Sequence, residues 1–156
     1  MLIRLLAAGT RLPSWVASGY DEYAGRIGPE MRLELVEIAI ARRGRNADIA
    51  RLRADEGRRM LSAIVPRMHV TALELRGRAM STEQLARWLG DRLGDRRDVA
   101  LLIGGPDGLD PACLDRADST WSLSPLTFPH ALVRIVVAEQ LYRAQSLLKG
   151  HPYHRA

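Results

Sequence analysis

The sequence predicts an α/β fold: a mostly parallel sheet with helices on both faces, formed by residues 1–156 as one domain. Three observations carry this. Short apolar runs alternate with longer segments of helical period, the pattern of parallel strands joined by crossover helices. The run Asp98–Ile103 (DVALLI) is apolar along its whole length, as a central strand covered on both faces should be. A chain of 156 residues, 47% of them hydrophobic and 26% charged, is long enough to bury one core without staples and shows no linker, repeat or low-complexity tract.

Leu2–Ala8 reads as the first strand, followed by a Gly9-Thr10 turn. Ser14 is placed to cap a helix over about Trp15–Arg26, which Gly28-Pro29 breaks. Arg32–Ile38 (RLELVEI) alternates polar and apolar residues and reads as a half-buried second strand. After the polar loop Ala41–Arg45, Asn46 is placed to cap a long helix reaching about Val65. Ile49, Leu52, Met60, Leu61 and Ile64 would form its apolar side, and Pro66 ends it. His69–Leu75 is the third strand, with a turn at Arg76-Gly77-Arg78. Ser81-Thr82-Glu83-Gln84 supplies a capping signal for a helix to about Leu93. Gly104–Gly108 turns after the fourth strand, Pro111–Arg116 makes one or two helical turns, and Thr120–Leu123 is a short fifth strand. Pro129 opens a last helix to about Lys149, stopped by Gly150.

Composition excludes several classes. No apolar run reaches the ~18 residues of a membrane span, and the opening segment lacks the pattern of a secretion signal. The single cysteine, Cys113, cannot form an internal disulfide, so a cytoplasmic location is expected. Basic residues outnumber acidic ones by 23 to 18, giving a net charge of +5. The eight arginines 42, 43, 45, 51, 53, 58, 59 and 67 face only Asp48, Asp55 and Glu56, so this stretch alone carries an excess equal to that of the chain. Such a patch fits phosphate contacts on a nucleic acid, or a solvated helix face.

In an open parallel sheet, ligands bind beyond the carboxyl ends of the strands. That directs attention to Leu73–Gly77, Gly104–Gly108 and Ser124–Phe128. Gly104-Gly105 lacks the order of a dinucleotide fingerprint or a P-loop; a tight structural turn and a close approach to a ligand both fit it. In Trp121–His130 two prolines hold a short loop whose amides at Leu126–Phe128 would lie near the start of the last helix, free to donate to a ligand or simply to join strand to helix. The last helix is apolar around most of its circumference, which suits a core helix or a core helix that also meets a second subunit. Glu139 and Arg143 are spaced to pair. The tail His151–Arg155 is dense in contact-making residues. Its proline fits poorly with two imidazoles on one helix face, and no metal is expected.

Taken together, Leu101–Leu109 (LLIGGPDGL), Trp121-Ser122-Leu123-Ser124, Leu126-Thr127, Pro129-His130, Leu132-Val133-Arg134, Ala138–Ala144 (AEQLYRA) and His151–Arg155 (HPYHR) resemble the ribosomal RNA large subunit methyltransferase H family. This is the pseudouridine N3-methyltransferase branch of the SPOUT superfamily. Ala8-Gly9-Thr10, Pro13, Trp15 and Arg43–Ile49 (RGRNADI) extend the resemblance over essentially the whole chain. Pro125 stands where that family often has a small residue, and Phe128 where it often has an aliphatic one.

The resemblance implies a C-terminal deep trefoil knot, a homodimer, and S-adenosyl-L-methionine bound by Leu73, Gly104, Gly105 and Leu123, Ser124, Pro125, Leu126, Thr127 and Phe128. It implies a cytoplasmic enzyme that methylates N3 of a pseudouridine in large-subunit (23S) rRNA within the assembled ribosome. The candidates for catalysis are His154, Arg155, Tyr153 and Arg143, with the tail of one subunit reaching the cofactor of the other. Those for RNA contact are Arg42, Arg43, Arg45 and His130. Two alternatives are a non-catalytic basic dimer that binds ribosomes and a SPOUT methyltransferase acting on another RNA nucleoside.

Overall fold

The computed structural model describes residues 1–10 and 12–154, with His154 described by its backbone alone. The sheet has five strands: β1 (Leu2–Ala8), β2 (Arg32–Ile38), β3 (His69–Ala79), β4 (Val99–Ile103) and β5 (Ser119–Ser122). Their order is β2-β1-β4-β3-β5, and every neighbouring pair runs parallel. The expected continuous apolar strand, β4, is the middle one, and all five of its residues are buried. Its side chains alternate between two core layers, as the two-residue strand period requires. Val99, Leu101 and Ile103 join Ile3, Leu5 and Ala7 in one layer. Helices α1 (Ser14–Ala24), α3 (Thr82–Gly94) and α5 (His130–Leu148) cover that face through Tyr20, Leu85, Leu89, Val137 and Leu141. Ala100 and Leu102 join Leu6, Ala8 and Ile38 in the other, covered by α2 (Ile49–Ser62) through Met60 and by α4 (Pro111–Arg116) through Cys113.

Several local expectations are corrected. Ser14 lies inside α1, whose N-cap is Pro13. The N-cap of α2 is Asp48, not Asn46, and its carboxylate accepts from the amide of Arg51 at 3.0 Å. Helix α2 also ends earlier, at Ser62, and Ile49 is exposed. Pro129 caps α5 rather than occupying its first turn. The capping box of α3 forms as expected: the Gln84 amide donates to Ser81 Oγ at 3.2 Å, and the Ser81 amide donates to Gln84 Oε1 at 2.8 Å.

The largest departure is in β3. Arg76-Gly77-Arg78 is not a turn that ends the strand; β3 runs on to Ala79. Its pairing with β5 shifts, so that Leu73 and Arg78 both face Trp121 and residues 74–77 bulge out between them. Gly77 makes the return possible, because a Cβ there would lie 2.8 Å from the backbone carbon of Trp121. Sequence periodicity ends at Leu75 because the bulge breaks it.

At the opposite end of the sheet, His69 is buried. Its Nε2 lies 3.1 Å from Ser119 Oγ and its Nδ1 lies 3.7 Å from Asp118. Burial, followed by the Arg92 guanidinium, pushes this imidazole below its ordinary value. The unfolded chain takes up the proton near pH 6.5 and the folded chain only at lower pH. Stability is therefore full above about pH 6.5 and is lost as the pH falls through the folded value. The urea midpoint is expected to drop between about pH 7.5 and pH 5.5, and His69→Gln to shrink that drop. An equal drop in the variant would show that His69 does not carry it.

Candidate active site

Strands β3, β4 and β5 end on one edge of the sheet, and the loops that leave them enclose a cavity of about 550 Å³. Glu74 and Leu75 of the β3 bulge form one wall. The turn Gly104–Gly108 forms another, and the segment Trp121–His130 closes the third side with Val133 of α5. Of the expected cofactor residues, Leu73, Gly104, Gly105, Leu123, Ser124, Leu126, Thr127 and Phe128 line the cavity. Pro125 does not: it is exposed and not among the lining residues. Phe128 does line the cavity and supplies an aromatic wall.

Two glycines have steric reasons to be there. Gly104 sits where a Cβ would lie 2.5 Å from the carbonyl carbon of Gly108 and 2.7 Å from the amide nitrogen of Leu109. The turn folds back on itself, with the Gly108 amide donating to the Gly105 carbonyl at 3.0 Å, and Gly108 takes φ +77°. Only a residue without a side chain fits Gly104, because the neighbours are backbone and cannot swing aside.

The expectation of free amides at Leu126–Phe128 holds in part. The Leu126 amide is taken by Ser124 Oγ at 3.0 Å, and Ser122 Oγ donates to the Ser124 carbonyl at 3.3 Å. The amides of Thr127 and Phe128 donate to no group among the described residues. The cavity thus pairs apolar walls with backbone donors. Among the described residues Glu74 is the one acidic residue lining it; it lies in the segment Leu73–Gly77 marked from the sequence but was not singled out there, because the bulge that turns it inward has no periodic signature.

His130 was expected on the RNA side; it lines the cavity at the start of α5. Burial, with the Arg134 and Arg43 charges, holds its imidazole below the ordinary value. Gly9, at φ +107°, passes beside it: a Cβ there would come within 3.4 Å of His130 Nε2. Below His130, Arg134 is 1% exposed. It donates to Glu37 at 2.6 Å, to the Gly9 carbonyl at 2.6 Å and to the Ala8 carbonyl at 3.2 Å, tying α5 to the ends of β1 and β2.

The arginine loop divides into two environments. Arg42 and Arg45 are exposed, whereas Arg43 is half-buried and committed to Glu56 and Asp107, each at 2.7 Å. Those partners, Glu56 first, raise its pKa further above the ordinary value.

A second cluster lies on α5 and the tail. Arg143 Nε donates to Glu139 at 2.8 Å, as the spacing implied, and Tyr153 Oη donates to the same carboxylate at 3.2 Å. The Tyr153 ring lies 4.6 Å from that of Tyr142, and the Arg143 guanidinium lies 5.0 Å from the Tyr153 ring centre. Burial and the Glu139 charge push the Tyr153 hydroxyl up to about 12. No residue of this cluster lines the cavity. The side chain of His154 and all of Arg155 lie outside the described residues.

A model of the family described as "Predicted SPOUT methyltransferase" matches residues 1–154. The chain belongs to the SPOUT methyltransferase family. Among curated relatives, it is 60% identical to the ribosomal RNA large subunit methyltransferase H of Alkalilimnicola ehrlichii over 156 residues, covering 100% of both chains. It is 56% identical to the protein of that name from Thioalkalivibrio sulfidiphilus, covering 99% of each. Two solved structures share the fold of this chain. TrmJ from Z. mobilis ZM4 matches with a TM-score of 0.53 at 18% identity, over 93% of this chain and 69% of that one. A probable methylase family protein from Haemophilus influenzae Rd KW20 matches with a TM-score of 0.56 at 11% identity, over 99% and 70%. Among the described residues of this SPOUT chain, no helix is long and apolar enough to cross a membrane.

Proposed function

We propose that this chain is an S-adenosylmethionine-dependent methyltransferase that acts on N3 of a pseudouridine in large-subunit rRNA, within the assembled ribosome in the cytoplasm and as a homodimer. The observation that carries the reading is the cavity at the ends of β3–β5 in a chain of this family. Its volume of about 550 Å³ suits a nucleoside-sized ligand. Leu73, Leu123, Leu126 and Phe128 offer apolar walls to an adenine ring, and the amides of Thr127 and Phe128 offer donors to its edge. Gly104 lets backbone form the floor.

When bound, S-adenosylmethionine supplies an electrophilic methyl group on a sulfonium. The protein's part is to exclude water, to orient the base behind that methyl at near-attack distance, and to stabilise the deprotonated N3 with nearby cations. Arg143, Tyr153, His154 and Arg155 are the groups assigned to the base. His154 is the first choice for proton acceptor, because an ordinary imidazole titrates near working pH. Since the Tyr153 cluster and the cavity share no residue within one chain, the tail is assigned to the cavity of the second subunit. Deletion of residues 153–156 should lower the methylation rate more than tenfold while leaving donor affinity within about twofold. A normal rate in the truncated protein would remove the tail from catalysis.

Arg42 and Arg45 are assigned to rRNA phosphate; Arg43, expected beside them, is engaged by two carboxylates. Reversing both exposed charges (Arg42→Glu with Arg45→Glu) should weaken ribosome binding. It should also flatten the slope of log affinity against log salt by roughly 1–2. An unchanged slope would mean that these residues face solvent in the complex.

The decisive experiment is mass spectrometry of rRNA nucleosides from cells lacking the gene, with calorimetry of the purified protein and S-adenosylmethionine. Loss of one methylated pseudouridine, restored by the gene, is the expected result. Activity should be high on assembled ribosomes and low on naked rRNA. Donor binding without that loss would point to another nucleoside. An absence of donor binding would favour a non-catalytic ribosome-binding dimer, which has no use for the Gly104 floor.

A further inference from the structure

The turn Gly104–Gly108 forms the floor of the cavity, yet it has little side-chain substance of its own. Gly104, Gly105 and Gly108 have no side chains, Pro106 lines the cavity, and Asp107 is its only charged residue. Something outside the turn must hold it, and the contacts identify the holder. Arg43 Nε and Nη2 donate to the same Asp107 oxygen at 2.9 and 2.7 Å. Its Nη1 donates to Glu56 Oε1 at 2.7 Å and to the Ala41 carbonyl at 2.9 Å.

Glu56 is 4% exposed on the inward face of α2, a position that helix packing alone would fill with an aliphatic residue. A buried carboxylate is costly unless paired, and Arg43 supplies the pair. The other oxygen of Glu56 lies against the turn: a Cβ on Gly105 would be 3.4 Å from Oε2. Arg53 adds a long contact to the Asp107 carbonyl at 3.5 Å. One guanidinium therefore joins α2 to the tip of the turn, while the carboxylate it neutralises abuts the turn's second glycine.

We propose that Arg43 is a positioning residue for methyl transfer: through Asp107 at the tip and Glu56 beneath, it fixes the Gly104–Gly108 turn in the shape that receives the methyl donor. This rests on the reading of the cavity as the donor site. The fork geometry matters as well as the charge, because a lysine offers a point charge that cannot serve two carboxylates and a carbonyl with fixed directions. The clamp explains why Arg43 is half-buried while Arg42 and Arg45 beside it are exposed.

The test is equilibrium binding of S-adenosylmethionine and S-adenosylhomocysteine to the full chain by calorimetry, with the melting temperature recorded for each variant. Arg43→Met should weaken both ligands about 3- to 30-fold, the range for residues coupled to a site they do not touch. Arg43→Lys should restore part of the loss. Asp107→Asn keeps the shape of the turn and should weaken binding about 3-fold or more. The double variant should be no weaker than Arg43→Met alone, because both act through one contact. In turnover, KM for the donor should rise while kcat at saturating donor stays near that of the unaltered protein.

Leu89→Ala, in the core under α3 and away from the cavity, serves as the control: it should lower the melting temperature and leave donor affinity unchanged. If the unaltered protein binds the donor and Arg43→Met and Asp107→Asn bind it equally well, the clamp has no positioning role and the inference is overturned. If Leu89→Ala weakens the donor as much as Arg43→Met does, the effect is general stability, and the inference is overturned as well. If the unaltered protein binds no donor, the reading of the cavity itself fails, and this inference with it.

Discussion

Gly104→Ala is expected to cut methyl-donor affinity or turnover by about two orders of magnitude in a protein that still folds. The added Cβ would lie 2.5 Å from the Gly108 carbonyl carbon, 2.7 Å from the Leu109 nitrogen and 2.9 Å from the Gly108 oxygen. Ordinary carbon contacts begin near 3.5 Å, so the turn must open by roughly 1 Å. Relieving such overpacking costs about 1–3 kcal/mol, too little to unfold a typical domain. A displacement of that size at a reacting site costs on the order of 10²-fold. Two other glycines make the comparison internal. At Gly105 a Cβ would meet Glu56 and Ala8 at 3.4 and 3.5 Å, close to ordinary contact, so Gly105→Ala should be mild. At Gly94 nothing lies within 4 Å, so Gly94→Ala should leave binding untouched. Calorimetric titration of the three variants, with melting temperatures, separates the cases. If Gly104→Ala binds the donor as tightly as Gly94→Ala does, the turn is not the floor of the site.

Arg134→Met is expected to lower the melting temperature by about 4–16 °C. The side chain is 1% exposed and donates to two carbonyls, at Ala8 and Gly9, and to Glu37. Methionine keeps most of the volume and removes every donor. Two inward carbonyls then lack partners, at ~1–3 kcal/mol each. Glu37, whose side chain is 40% exposed, regains water and adds little. A net loss of about 2–4 kcal/mol follows, because the buried Arg134 Nε already lacks a partner and its desolvation is recovered. At ~2–4 °C per kcal/mol for a domain of this size, that gives the stated range. Arg134→Lys should fall between, since one ammonium cannot reach all three acceptors in their fixed directions. The variant should also loosen His130, which starts the same helix beside Gly9. A fall of less than about 2 °C would show that the carbonyls find other donors.

Much of this architecture could be read before any coordinates. The continuous apolar run at Asp98–Ile103 announced the central strand, and the spacing of Ser81 and Gln84 announced a capping box that forms as written. Both are local: the information lies within one strand or one helical turn. The cavity residues Leu73, Gly104, Gly105 and Leu123–Phe128 were named from the ends of strands and from resemblance, and Pro125 alone falls outside the lining. What escaped was whatever depends on contacts distant in sequence. The bulge at residues 74–77 exists because β5 meets β3 on both sides of it, so a run that looked like a turn is a strand interrupted by a wall of the site. Glu74 faces the cavity for that reason and no local one.

Arg42, Arg43 and Arg45 show the same division within four residues of chain. By sequence they are one basic patch; in the fold two reach solvent, and the third meets carboxylates 13 and 64 residues away. The sequence by itself determined the alternation of strands and helices, the central strand, the basic character and the family, because hydrophobic period, caps and motif order are properties of neighbouring residues. Only the tertiary structure decided which glycines are sterically obligatory, which arginine joins α2 to the Gly104–Gly108 turn and which carboxylate lines the cavity. Those depend on distances between segments far apart in the chain, and such distances are set when the sheet assembles.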